Sequence, residues 1–204
     1  MHEEVVNLFA PWEGFYVILG SAAAALTGLQ FVVMALIVDS NRPRGPREIA
    51  AFSSPTVVHF FSALFVSAVF AAPWPSATMA GRVAGLAGLV GLVYTVIVFR
   101  RARRQKGYKP VFEDWLGHTL LPAVAYAALS IGGWTLHEVA GPSMFVIGGA
   151  TVLLVTVGVH NAWDTVTYIA SDPRMAPGKP TPSPPTAAPP VPVDGGGIAP
   201  HEGE

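Results

Sequence analysis

Phe15-Tyr16-Val17-Ile18-Leu19-Gly20-Ser21-Ala22-Ala23-Ala24-Ala25-Leu26-Thr27-Gly28-Leu29-Gln30-Phe31-Val32-Val33-Met34-Ala35-Leu36-Ile37-Val38 contains no charged residue and no proline. A helix crossing a hydrocarbon core of about 30 Å needs about 20 predominantly apolar residues at 1.5 Å each, and this run exceeds that length. Its flanks fit the same reading. Phe9, Trp12 and Phe15 precede or open it, where an aromatic belt at the membrane interface is expected, and Asp39 closes it.

The rest of the 204-residue chain repeats the pattern. Hydrophobic residues make up 51% and charged ones only 12%, about half the usual supply of a soluble domain. Four further apolar segments follow, over residues 49–72, 81–99, 115–136 and 144–169. With the first at 15–38 they predict an all-α, polytopic membrane protein of five transmembrane helices over 15–170. Residues 1–14 form a short extracytoplasmic lead. Their acidic start, with Glu3 and Glu4, lacks the basic region of a removable signal peptide, so the first helix is expected to remain as an anchor.

Breakers punctuate the segments. Pro43, Gly45 and Pro46 break the chain before segment two, and Pro73-Trp74-Pro75-Ser76 is a turn after it. Pro55 either starts the second spanning helix, with Ser54 as its cap, or kinks a longer helix begun near Pro46. Gly20, Ala24 and Gly28 on segment one, and Gly81, Gly85 and Gly88 with Gly91 beside them on segment three, are small residues at helical spacing that favour close helix approach. From Ser171 to Glu204, the eight prolines from Pro177 to Pro192 and scarce apolar bulk predict a disordered tail, free or bound to a partner.

Charge sets the orientation. Of twelve Lys and Arg, all but Arg82 fall between segments one and two, between three and four, or after five. In a five-helix protein these regions share one side, so the positive-inside rule places the N-terminus outside and the C-terminus in the cytoplasm. Arg100, Arg101, Arg103 and Arg104 then face the inner leaflet, where anionic lipid is their expected partner rather than nucleic acid.

Depth along the helices brings out a polar band. Measured from the outer ends, Gln30 lies about 22 Å deep, His59 about 20 Å, His118 about 27 Å and His160 about 24 Å. Asn161 adjoins His160, and Asp164 follows one turn later near the cytoplasmic boundary. Polar side chains in a membrane ordinarily face the bundle interior, so His160, His59, Gln30, Asp164 and Asn161 form a candidate site for a ligand or protons. His59, His118 and His160 are candidate metal or haem ligands. The plainer, structural account is the first reading, with the ligand, metal or proton site as the alternative. His118, Trp163 and Asp164 fit a headgroup region, and His59 and Gln30 fit interhelical hydrogen bonds worth about 0.6 to 2 kcal/mol.

With no cysteine, disulfides and thiol chemistry are excluded. Nucleophile triads, phosphate loops and H-E-x-x-H are also missing, so nothing points to an enzyme. At Ala22-Ala23-Ala24-Ala25-Leu26-Thr27-Gly28-Leu29-Gln30-Phe31-Val32 and at His160-Asn161-Ala162-Trp163-Asp164-Thr165, the chain resembles small bacterial multi-pass membrane proteins without an assigned activity. The resemblance covers residues 10–170 and implies a bacterial cytoplasmic membrane. Two functions follow as expectations: a structural or accessory component of a membrane complex, homo-oligomeric or mixed, or a binding or transport protein using the polar band. No cofactor is identified.

Overall fold

The computed structural model describes residues 8–39, 46–103 and 119–170. His118, the Pro-rich tail and most of the basic loop residues lie outside them. Every long element described is helical. After a 3-10 turn at Ala10–Trp12 come α1 (Glu13–Asp39), α2 (Pro46–Ala71), α3 (Ala77–Arg103), α4 (Leu121–Thr135) and α5 (Ala140–Ala170). α1, α3 and α5 each contain a stretch long and apolar enough to cross a membrane, and the apolar part of α2, Pro55–Ala71, is shorter. α4 spans about 22 Å at 1.5 Å per residue. The outer surface matches a lipid environment: Ile18 and Phe145 are each 73% exposed, with Phe31, Phe61, Val90 and Ile131 also open.

The helix bounds depart from the sequence expectation in an orderly way. α1, α3 and α5 run a few residues past the apolar runs, because a charged side chain such as Glu13 or Arg100 limits an apolar run without interrupting backbone helical hydrogen bonding. α2 starts at Pro46 and continues through Pro55. Of the two alternatives for Pro55, the longer helix is the one formed. Proline lacks only one backbone donor, and membrane helices tolerate that loss.

Packing follows small residues. α3 and α4 make the most extensive contact of the bundle, and α1 lies on α2, α4 on α5, and α2 on α5. A Cβ on Gly88 would come within 2.5 Å of the Ser130 backbone nitrogen, and one on Gly81 within 2.6 Å of the Gly133 carbonyl oxygen. The two backbones therefore approach where no side chain intervenes. Gly85 abuts Trp134, and Gly91 abuts the Tyr126 ring. The glycine strip read from segment three is thus a packing face, with Gly91 an integral part of it.

On α1 the expected face is only partly used. Gly20 meets Ser67 of α2, but Ala24 is exposed, and a Cβ on Gly28 would meet nothing within 4 Å. The buried stripe is Tyr16, Gly20, Ala23 and Gln30, spaced by threes and fours rather than by fours alone. A strict four-residue repeat advances 400° per step, so it drifts off a straight contact line that a mixed three-four spacing follows.

The aromatic residues at the start of the chain also differ from a lipid-facing belt. Phe9 is buried, making an edge contact with Phe70 at 5.4 Å, and Tyr16 stacks on Phe70 at 5.0 Å. Trp12 meets Phe145 of α5 edge-on at 4.9 Å. These rings tie α1, α2 and α5 together at one end. Trp74 Nε1 donates to the Val69 carbonyl at 2.6 Å and ties the following turn back to α2.

Candidate functional site

Register places the polar side chains. α1 and α2 run antiparallel, and their Gly20–Ser67 contact anchors the alignment. Counting inward by equal numbers of residues sets Gln30 level with Val57. α2 and α5 are likewise antiparallel, joined through rings at one end and by Gly158 against the Phe60 ring further along. The same counting sets Asn161 level with Val57. Gln30, Asn161, Thr56 and His59 therefore occupy one layer, spread over about one helical turn on three helices.

All four are buried: Gln30 is 4% exposed, Thr56 0%, His59 2% and Asn161 2%. Thr56 and His59 are three apart and share the inward face of α2 with Phe60, Ala63 and Ser67. Gln30 is carried inward by the α1 stripe that begins at Tyr16.

Their hydrogen bonding divides the layer. His59 Nδ1 lies 3.0 Å from Tyr126 Oη of α4, and Tyr126 Oη lies 3.0 Å from Ser62 Oγ. Ser62 Oγ donates to the Val58 carbonyl at 2.7 Å. By contrast, Gln30 Nε2, Thr56 Oγ1 and both amide atoms of Asn161 are buried with no hydrogen-bond partner. Buried Thr95, Thr151 and Thr165 each donate to the carbonyl four residues back, at 2.9, 2.7 and 2.8 Å, so Thr56 is unlike the other buried threonines. Two more buried hydroxyls without partners, Tyr16 Oη and Ser67 Oγ, belong to the aromatic end rather than this layer. A buried polar group without a partner costs about 1–3 kcal/mol, so four such atoms at one level make this layer the polar focus of the bundle.

His160 and Asp164 require a correction. As members of the polar band they are expected to face the bundle interior, but their side chains are 59% and 46% exposed, paired with each other at 3.3 Å. Thr156 and Thr167 on the same face are exposed and bond their own helix. The inward face of α5 is Leu154, Val157, Gly158, Asn161 and Thr165. One residue turns a helix by about 100°, so Asn161 can point inward only if His160 points away. The structure brings Gln30, His59 and Asn161 into one layer and leaves His160 and Asp164 outside it.

The metal proposal loses its geometry with that rotation. His59 is interior, His160 faces outward, and His118 lies outside the described residues. Among the described residues, no group of three or more His, Asp or Glu side chains is placed to hold a metal ion.

Sequence reasoning missed Thr56, Ser62 and Tyr126. A signal for Tyr126 was available: tyrosine prefers the membrane interface, and this one sits near the middle of an apolar segment. Comparison with protein-family models, curated proteins and solved structures found no match.

Proposed function

We propose that this chain is a five-span protein of a bacterial cytoplasmic membrane, N-terminus outside and C-terminus in the cytoplasm, whose bundle holds a small hydrogen-bonding ligand or a proton in its cytoplasmic half. The Lys and Arg distribution supports the orientation, and the resemblance to bacterial multi-pass proteins supports the membrane. One observation carries the site: Gln30, Thr56 and Asn161 present four partnerless polar atoms at the level of His59, all deeply buried. Lipid cannot satisfy such atoms, whereas a ligand or ordered water can.

The test is thermal unfolding of the purified full chain in mild detergent against a panel of small amides, alcohols and ammonium ions. A bound solute raises the midpoint according to its concentration over Kd. The expected result is a solute-dependent rise in the wild type that vanishes in Asn161→Leu. No response to any solute or to pH between about 5 and 8, with Asn161→Leu simply more stable, would reduce the layer to a structural feature.

A second reading, that the protein is an accessory component of a membrane complex or a homo-oligomer, is supported by α1. That helix packs mainly on α2, and Ala24 and Gly28 lie open on its far side. Crosslinking in native membranes through a cysteine placed at Gly28 tests it; a species that never exceeds monomer mass would count against it. Arg100, exposed at the inner end of α3, is proposed with Arg101, Arg103 and Arg104 to contact anionic lipid headgroups.

A further inference from the structure

The polar residues of α5 divide between two opposite faces. Asn161 and Thr165 enter the bundle, whereas Gly149, Val152, Thr156, His160, Trp163 and Thr167 are all exposed on the other side. Steps of three or four residues separate the members of the second set, matching the 3.6-residue turn, so they form one continuous seam. Among the described residues α5 packs on α2 and α4 and barely on α1, and the seam is left uncovered.

The outward face of α3 is suited to lipid, with Leu86, Leu89, Val90, Val93 and Ile97 exposed. The seam of α5 differs, because a basic and an acidic residue, His160 and Asp164, lie along it within the apolar span Ala140–Thr167. At about 24 Å from the outer boundary, His160 is about 6 Å inside a hydrocarbon core of about 30 Å. Ionisable side chains on a spanning helix face protein or water, since hydrocarbon does not solvate them. The Nε2–Oδ2 contact at 3.3 Å engages one of the two polar atoms on each side chain. A cover that brings further polar partners would complete the pair.

We propose that a second copy of this chain supplies that cover, α5 against α5 about a two-fold axis along the membrane normal. Copies inserted in one orientation place equal residues at equal depth, and a surface used by both must be complementary to itself. The seam meets this condition. With a base and an acid one turn apart, His160 of each copy comes beside Asp164 of the other, and opposite charges alternate around the axis. Close approach is open further along the seam, where a Cβ on Gly149 would meet nothing within 4 Å. Small residues of this kind let membrane helices come together. The interface is separate from the open side of α1 and is tested separately from it.

The chain has no native cysteine, so single cysteines report on each face. In native membranes under mild oxidation, Gly149→Cys and Thr156→Cys should give a disulfide-linked species of twice the chain mass. Val90→Cys, on the outward face of α3, should not. Energy transfer between copies labelled at Ser76→Cys, in vesicles diluted with added lipid, measures the strength of the dimer. His160→Leu and Asp164→Leu should each weaken it about three- to tenfold, as loss of an interhelical polar contact does. Leucine suits an exposed membrane face, so an unchanged helical content and unfolding midpoint should accompany that loss. Exchanging the two residues, His160→Asp together with Asp164→His, keeps the seam self-complementary and should restore the dimer.

A dimer formed by Gly28→Cys with Gly149→Cys remaining monomeric would favour α1 and overturn the α5 interface. Linkage of Val90→Cys as efficient as that of Gly149→Cys would do the same, as would a Gly149→Cys product of any other mass. A chain that stays monomeric at every position would leave His160 and Asp164 to lipid headgroups and also overturn it. An equally strong dimer in His160→Leu would show that the charge pair does not hold the copies together.

Discussion

His59 Nδ1 on α2 and Tyr126 Oη on α4 lie 3.0 Å apart, a hydrogen bond between two helices far apart in sequence, both residues almost fully buried. The ring of Tyr126 is backed by Gly91 of α3, so three helices meet at this one pair. Removing its hydroxyl is the most direct perturbation of the bundle interior.

Tyr126→Phe keeps the ring against Gly91 and deletes the contacts to His59 and Ser62. The expected loss is about 1–3 kcal/mol, because the His59 ring nitrogen and the Ser62 hydroxyl each lose a partner, although single hydrogen bonds within membrane bundles average nearer 0.6 kcal/mol. Unfolding by denaturing detergent, compared with the wild type, measures it.

Gly88→Ala and Gly28→Ala should differ sharply. At Gly88 the new Cβ would meet the Ser130 backbone at 2.5 Å, and backbone cannot step aside as a flexible side chain does. A cost of about 1–3 kcal/mol is expected, with α3 and α4 forced apart. At Gly28 nothing lies within 4 Å, so the variant should be neutral or gain up to about 1 kcal/mol from helix propensity. Paired unfolding curves decide the contrast.

Adjacent positions on α5 should also diverge. Asn161→Leu removes two buried atoms that have no protein partner and should stabilise the bundle by about 1–3 kcal/mol while abolishing ligand response. His160→Ala breaks only an exposed pair with Asp164, where about 0.3–0.5 kcal/mol is usual, and should leave ligand response unchanged. Measuring both quantities on both variants separates the inward face of α5 from its outward one.

The absence of native cysteine makes topology directly testable. Single cysteines at Ser76 and Glu138 should react with a membrane-impermeant maleimide in intact cells. One at Lys106 should react only after permeabilisation. Labelling of Lys106→Cys in intact cells would reverse the proposed orientation.

Helical class and apolar span length were legible from residues 15–38 alone, because a long uncharged run has few stable alternatives to a membrane helix. The glycine face of α3 was legible too, since Gly81, Gly85, Gly88 and Gly91 form a coherent strip whatever the neighbour. Depth along each helix placed Gln30, His59 and Asn161 in one layer without coordinates. Rotation about each helix axis was beyond that reading. Depth grows by 1.5 Å per residue and reads off a sequence, whereas a 100° step per residue decides which neighbour faces inward, and the partner helices set that phase. The sequence by itself determined that His160 and Asn161 lie at nearly the same depth on one helix. Only packing of Gly158 against Phe60 decided that the amide enters the bundle and the imidazole leaves it.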